Sequence, residues 1–192
     1  MRALTQVGQV INSSLELNEV LQIVMDNIIR LTGAERGFLM LKNEAGEMTI
    51  RIARNWTQES IDPSEISISR TVVNRVVNSG LPVLTTNAQE DPRFSGQRSI
   101  VAYNIRSIVC VALKVKGVLT GVIYVDHRIR AALFTQKDLD LLDAFTNQAA
   151  VAIENARLFA SVKNTLEEVT ALKNIMDNVF SSMASGVLTA DI

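Results

Sequence analysis

The densest run of side chains able to bind a ligand lies between residues 87 and 107. Asn87, Asp91, Arg93, Phe94, Ser99, Tyr103, Asn104, Arg106 and Ser107 bring amide, carboxylate, guanidinium and hydroxyl groups around an aromatic ring. A pocket needs this mixture, because a few polar groups orient a ligand among apolar walls. A loop on a rigid scaffold is a common place for it. Arg93 or Arg106 can grip a carboxylate or phosphate through two N–H donors. The competing reading is a solvated loop in which Asp91 pairs with Arg93. Tyr124 and Asp126 extend the candidate set, since they alternate with Val122 along one face of a strand. Ile108, Cys110 and Ala112 alternate on the neighbouring strand. Parity leaves open which face meets a pocket.

Catalytic groups are scarce. The chain has one cysteine, Cys110, and one histidine, His127. Cys110 sits mid-strand among Val and Ile, where a thiol behaves as a small apolar group rather than an exposed thiolate. His127 lies beyond the end of the next strand, so the two do not form a dyad. A single Cys and a single His build neither a disulfide nor a structural zinc site. There is no phosphate loop and no paired metal-ligand spacing. The reading is therefore non-enzymatic, with no metal. Lys+Arg 19 against Asp+Glu 20 gives a net charge of −1 over 192 residues. That balance offers no broad basic surface for nucleic acid. No apolar run approaches the roughly 18–20 residues of a membrane span, and the N-terminus lacks a signal-peptide pattern. A soluble, cytoplasmic protein without membrane or nucleic-acid partners is expected.

The elements that must position these groups follow from period and punctuation. Leu4, Val7 and Ile11 have helical spacing. Ser13 and Glu16 read as a capping box, which places a break near residues 12–17. Leu17, Val20, Leu21, Val24, Ile28 and Leu31 mark a second helix, stopped by Gly33. Residues 37–41 are apolar on both faces, as in a central strand, and 47–54 alternate as its hairpin partner. A helix is predicted at 69–79 and a short strand at 82–85. The segments 106–115 and 118–126 form a second hairpin around Lys116-Gly117. From Thr135, a plausible N-cap, no Gly or Pro interrupts a helical pattern until Gly186. Such a helix is far longer than a small domain is wide, so its second half must leave the domain.

This order of elements resembles a GAF domain of the bacterial signalling type. Four blocks carry the resemblance: LTGAERGFLML (31–41), SGLPVLTTNAQEDPRF (79–94), IRSIVCVALKVKGVLTGVIYVDHR (105–128) and FTQKDLDLLDAFTNQAAVAIENARL (134–158). The tail NIMDNVFSSMASGVLTAD (174–191) looks like a linker and the first strand of a PAS domain. The resemblance implies an α+β fold with an antiparallel sheet of about six strands. Terminal helices cover one face, and short helices and loops roof a pocket on the other. It also implies regulation by a small ligand, a cyclic nucleotide among the possible classes. Cyclic-nucleotide members carry Asn-Lys and then Phe-x3-Asp-Glu. Here Asp126-His127 and Phe134-x3-Asp138-Leu139 stand at those places, so only Phe134 and Asp138 are kept. Without the family's lysine, Arg128 or Arg130 is left to pair with Asp138. Asp138 also suits a first helical turn by charge. Bilin attachment in relatives uses a cysteine followed by histidine, whereas Val111 follows Cys110. A bilin is read against, as is haem on a lone loop histidine. No cofactor is assigned. Reductase members of this type use several cysteines, which again speaks against an enzyme.

The resulting organisation is a helix at 1–14, a GAF domain at 15–158, a coiled-coil linker at 159–183 and the start of a PAS-like domain at 184–192. Ala149, Ile153 and Ala156 continue a stripe whose small side chains permit close approach to the N-terminal helix or to its copy. Val162, Leu166, Val169, Leu172 and Met176 prolong it at coiled-coil steps of three and four. The reading is a parallel homodimer that relays ligand state to downstream PAS and output domains. The rival is a pure dimerisation scaffold with a filled pocket.

Overall fold

The computed structural model describes residues 16–94 and 96–188. The helix around Leu4, Val7 and Ile11, the Ser13 cap and residues 189–192 lie outside these. Helix α1 (Leu17–Thr32) turns Val20, Leu21, Val24, Met25, Ile28 and Ile29 inward, and Gly33 ends it at φ +66° with its N–H on Ile29 O at 2.8 Å. Strands β1 (Arg36–Lys42) and β2 (Met48–Asn55) form the first hairpin. A 3-10 turn at Pro63–Glu65 leads to helix α2 (Arg70–Ser79) and strand β3 (Val83–Thr85). Helix α3 (Arg98–Ala102) precedes strands β4 (Ser107–Val115) and β5 (Val118–His127). Lys116 and Gly117 both have positive φ, 50° and 82°, which matches the twist of a two-residue hairpin turn.

The sheet has five strands in the order β2-β1-β5-β4-β3, and every pair is antiparallel. The expected sixth strand is absent among the described residues. The segments beyond both edge strands carry turn formers instead. Pro63 sits in the 3-10 turn, and the stretch after β3 closes a turn with Asp91 N–H on Asn87 O at 2.9 Å. Both faces of β1 are buried, as its unbroken apolar run requires. At Gly121 in β5 an added Cβ would lie 2.3 Å from Met40 O, so only glycine allows this approach of β5 to β1.

Two apolar layers flank the sheet. On one side Leu39, Val109, Val111, Ile123 and Val125 pack against α1 and helix α4 (Gln136–Leu188). On the other, Phe38, Met40, Ile108, Cys110, Val122 and Tyr124 pack against α2 and the loops. The parity left open by the sequence is thereby settled. Tyr124 and Cys110 stand opposite each other on the loop side.

At the start of α4, Asp138 accepts hydrogen bonds from the Thr135 N–H and hydroxyl, both at 2.8 Å. Asp138 is thus part of a reciprocal cap, not the partner of Arg128 or Arg130. Arg128 is drawn to Glu35 instead. Ala149, Ile153 and Ala156 are buried within this chain, in the layer shared with α1 and the sheet, and so present no free face to a copy. Beyond Ala160 the described part of α4 stands in solvent, with Val162 at 67 % and Val169 at 57 % exposure. The helix runs on through Leu188, so residues 184–188 are helical rather than the first strand of a further domain.

Candidate functional site

The loop between β3 and β4 uses most of its polar groups on itself. Arg93 holds Asp91 through Nε and Nη2, the latter at 2.7 Å, and donates to Leu84 O at 2.7 Å. The Arg93 guanidinium pulls the Asp91 carboxyl down to about 2. Arg93 and Arg75 both lie over the Phe94 ring, at 5.1 and 5.9 Å. Asn104 accepts from the Gln89 side-chain amide at 2.8 Å, and the Ser107 hydroxyl donates to Thr86 O at 3.2 Å. Ala88, Phe94, Ile100 and Ile105 fill the space beneath. The Asn87 side-chain oxygen is buried without a hydrogen-bond partner. Ser99 and Arg106 are half-buried and line none of the clefts described below.

Tyr103 and Asn104 border a shallow space of about 420 Å³ together with Glu35, Ser67 and Arg128. A larger one lies elsewhere on this face. A cleft of about 630 Å³ runs between the β1–β2 hairpin and α2. Met40, Met48 and Ile50 line it from the sheet, Ile66 and Ile68 from the approach to α2, and Val73 and Val77 from the helix. Arg70, Asn74, Glu47, Thr49 and Tyr103 are its polar or amphipathic members. Of the residues singled out from sequence only Tyr103 reaches it. The signal available was the i, i+3, i+4, i+7 series Arg70, Val73, Asn74, Val77, a second helix stripe beside the fully buried Val72 and Val76.

Beside this cleft the sheet contains a buried polar network. Arg36 donates to both carboxylate oxygens of Asp126, at 2.9 and 2.6 Å, and to the hydroxyl and carbonyl oxygens of Ser67, at 2.8 and 3.0 Å. Its guanidinium also lies 5.4 Å from the Phe38 ring centre. Asp126 is fully buried. Burial pushes its carboxyl upward, and the two Arg36 donors oppose that shift. The Tyr124 hydroxyl accepts from Ser69 N–H at 3.5 Å, and burial raises its phenol well above the usual range. Asp126 was read as a pocket residue. It is the inner anion of an ion pair with Arg36, a residue that the sequence does not single out. Just beyond the strand ends, Glu35 before β1 meets Arg128 after β5. His127 Nδ1 accepts the N–H groups of Ile129 and Arg130, at 3.1 and 3.0 Å. Its pKa is lowered by burial and by Arg130 and Arg128, with Glu35 opposing. Burial pushes the Cys110 thiol up, as an inert core group requires. No cluster of three or more metal-ligating side chains occurs among the described residues.

The GAF domain family model matches residues 16–153, most of the chain. The chain belongs to the GAF family. A hybrid signal transduction histidine kinase G from Dictyostelium discoideum is 28 % identical over 102 residues, which cover 53 % of this chain and 3 % of that protein. A Nif-specific regulatory protein from Azospirillum lipoferum is 26 % identical over 64 % of this chain and 20 % of that one. This GAF chain therefore spans a small part of the curated relatives it matches. Among solved structures, the GAF domain of an Acinetobacter phosphoenolpyruvate-protein phosphotransferase superposes with TM-score 0.64 at 19 % identity, covering 81 % of this chain and 92 % of that one. A free methionine-R-sulfoxide reductase from Neisseria meningitidis, solved with its substrate, reaches 0.65 at 16 % identity over 81 % and 88 %. At these identities the likeness concerns the fold. GAF domains of sensor kinases and Nif-type regulators mark this one as a regulatory, signal-sensing module. No helix among the described residues is long and apolar enough to cross a membrane.

Proposed function

We propose that this GAF domain is a non-catalytic sensor within a longer cytoplasmic signalling protein. It takes a small molecule into the cleft between β2 and α2 and relays occupancy through α4 to an output domain downstream. The observation that carries this reading is a cleft on one face of the sheet, with Met, Ile and Val side chains in its lining, together with a helix on the opposite face that leaves the domain with an unburied apolar row. Val162, Leu166, Val169, Leu172 and Met176 stay in water in a single chain. Each costs roughly 1.5–3 kcal/mol relative to burial, which a parallel second copy recovers. The row extends back onto the domain at Val151 and Leu158, both exposed. That continuation replaces Ala149, Ile153 and Ala156 as the start of the interface. A histidine kinase or a transcriptional regulator is the fitting kind of parent, and the tail's resemblance to a PAS linker fits a further sensor in between.

A scaffold without a ligand is the second reading. It is favoured by Phe94, Ile100 and Ile105, which fill the space under the loop at 87–107. Native mass spectrometry of freshly purified protein separates the two. A dimer carrying a bound small-molecule mass supports the sensor. A dimer of bare chains that also fails to shift its melting temperature with a broad metabolite panel supports the scaffold.

A further inference from the structure

The lining of the open cleft between β2 and α2 holds one cation, Arg70, and a set of Met, Ile and Val side chains. Resting on the sensing reading above, we infer that its ligand is an aliphatic monocarboxylate, with its head on Arg70 and its chain lying along α2. Arg70 opens α2 and lines the cleft, and among the described residues it has no ion-pair partner. The N-terminus of α2 adds a second, weaker attraction for an anion at the same end. The adjoining Ser69 hydroxyl is fully buried and has no hydrogen-bond partner. Ser69 lies behind Arg70 and does not itself line the cleft.

The rest of the cleft selects the body of the ligand. Its floor is Met40, Met48 and Ile50, facing Val73 and Val77. No aromatic ring lies on this floor to stack with a nucleobase, and Tyr103 is the single ring in the lining. Methionine side chains adapt to an unbranched chain better than to a rigid ring. The one carboxylate in the lining, Glu47, stands at the opposite end. The register of β1 with β2 and β5 puts the turn before Met48 at the end where β4 and β5 turn, and there Lys114 Nζ donates to Gly80 O just past α2. From Arg70 to Val77 the helix rises about 10 Å. The negative charge of Glu47 is thus kept away from the head group, and the tail end is limited to a medium-length chain.

Octanoate, octanol, octylammonium, cyclic AMP and cyclic GMP, each titrated into the 192-residue chain by calorimetry with thermal shift in parallel, test the assignment. Octanoate binds and octylammonium does not. Arg70→Gln weakens octanoate about tenfold or more, as loss of a charge-assisted contact requires, and leaves octanol unchanged. Met48→Trp, which fills the floor, abolishes both. Arg70 is exposed, so its variant folds whatever becomes of Met48→Trp. Octanol binding as tightly as octanoate, or an Arg70→Gln variant unaffected toward octanoate, overturns the assignment. A cyclic nucleotide that binds where octanoate fails overturns the ligand class and leaves the sensing reading standing. Failure of all five probes overturns the class, and a bare mass in the native spectrum then removes the sensing reading as well.

Discussion

Replacing Arg36 by Met should cost this domain a large share of its stability. Asp126 is fully buried, and Arg36 supplies two donors to its carboxylate and two more to Ser67. Removing the cation leaves a carboxylate in the sheet interior and two Ser67 oxygens without their donor. Breaking a buried pair by deleting one partner typically costs about 3–5 kcal/mol, against a total of about 5–15 kcal/mol for a domain. The double variant Arg36→Met with Asp126→Leu removes both charges and should regain most of that loss, because a buried pair gains little over apolar groups of similar volume. Equilibrium urea unfolding of the four proteins in the cycle measures this. In the Arg36→Met single variant the penalty should also shrink in acid. Burial raises the Asp126 carboxyl, so its protonated form contributes stability at low pH that is lost as pH rises through the folded pKa. A loss under about 1 kcal/mol for Arg36→Met, or a double variant no better than the single, would refute this view of the pair.

Three further outcomes are expected. The single histidine should titrate below its ordinary 6.5 in an NMR pH series, with its proton on Nε2, because Nδ1 accepts two backbone N–H groups. Its contribution to stability is complete above 6.5 and is lost as pH falls through the folded pKa, so a urea midpoint that does not decline in that window for wild type relative to His127→Gln contradicts it. Asp138→Ala removes both bonds to Thr135 and should lower stability by about 0.5–2 kcal/mol in thermal or urea melts. Leu166→Asp with Val169→Asp should turn a dimer into a monomer in analytical ultracentrifugation, and a wild-type chain that sediments as a monomer at about 100 µM, where an association of about 8 kcal/mol would be well populated, overturns the dimer.

The strands and helices were legible because each writes its own period. The glycine after each of the first two helices and the Lys116-Gly117 turn are local signals with structural counterparts. The alternation of Met48, Ile50 and Ile52 also marks a strand, but a bulge in the β1–β2 register leaves Met48 and Ile50 on the α2 face and turns Ile52 to the face of the terminal helices. The strand count was not local. It depended on whether the segments after β2 and β3 pair again at the sheet edges, and no residue pattern separates a short edge strand from a hydrogen-bonded turn. The cleft beside α2 was hidden for a related reason. Polar density in the loop at 87–107 marked where side chains satisfy one another, as Asp91 and Arg93 do two residues apart. A cleft is space left by elements distant in sequence, here β2 and α2, and has no compositional signature at either.

The ion pair at the heart of the sheet shows where the limit lies. Arg36 and Asp126 are ordinary residues on the page, 90 positions apart. Each sits next to an opposite or complementary charge that could have been its partner: Glu35 before the arginine, Arg128 two places beyond the aspartate. Only the register of β1 against β5 decides, because it sets Arg36 opposite Asp126 and leaves Glu35 to reach Arg128 just beyond the strand ends. A slip of one residue would turn every side chain of β1 to the other face. The apolar groups forbid that slip: Phe38 and Met40 must meet the α2 layer while Leu39 and Leu41 meet the terminal helices. The hydrophobic pattern therefore selects the charge pairing. The buried arginine follows from the packing of its neighbours, which is why no reading of the charges alone could find it.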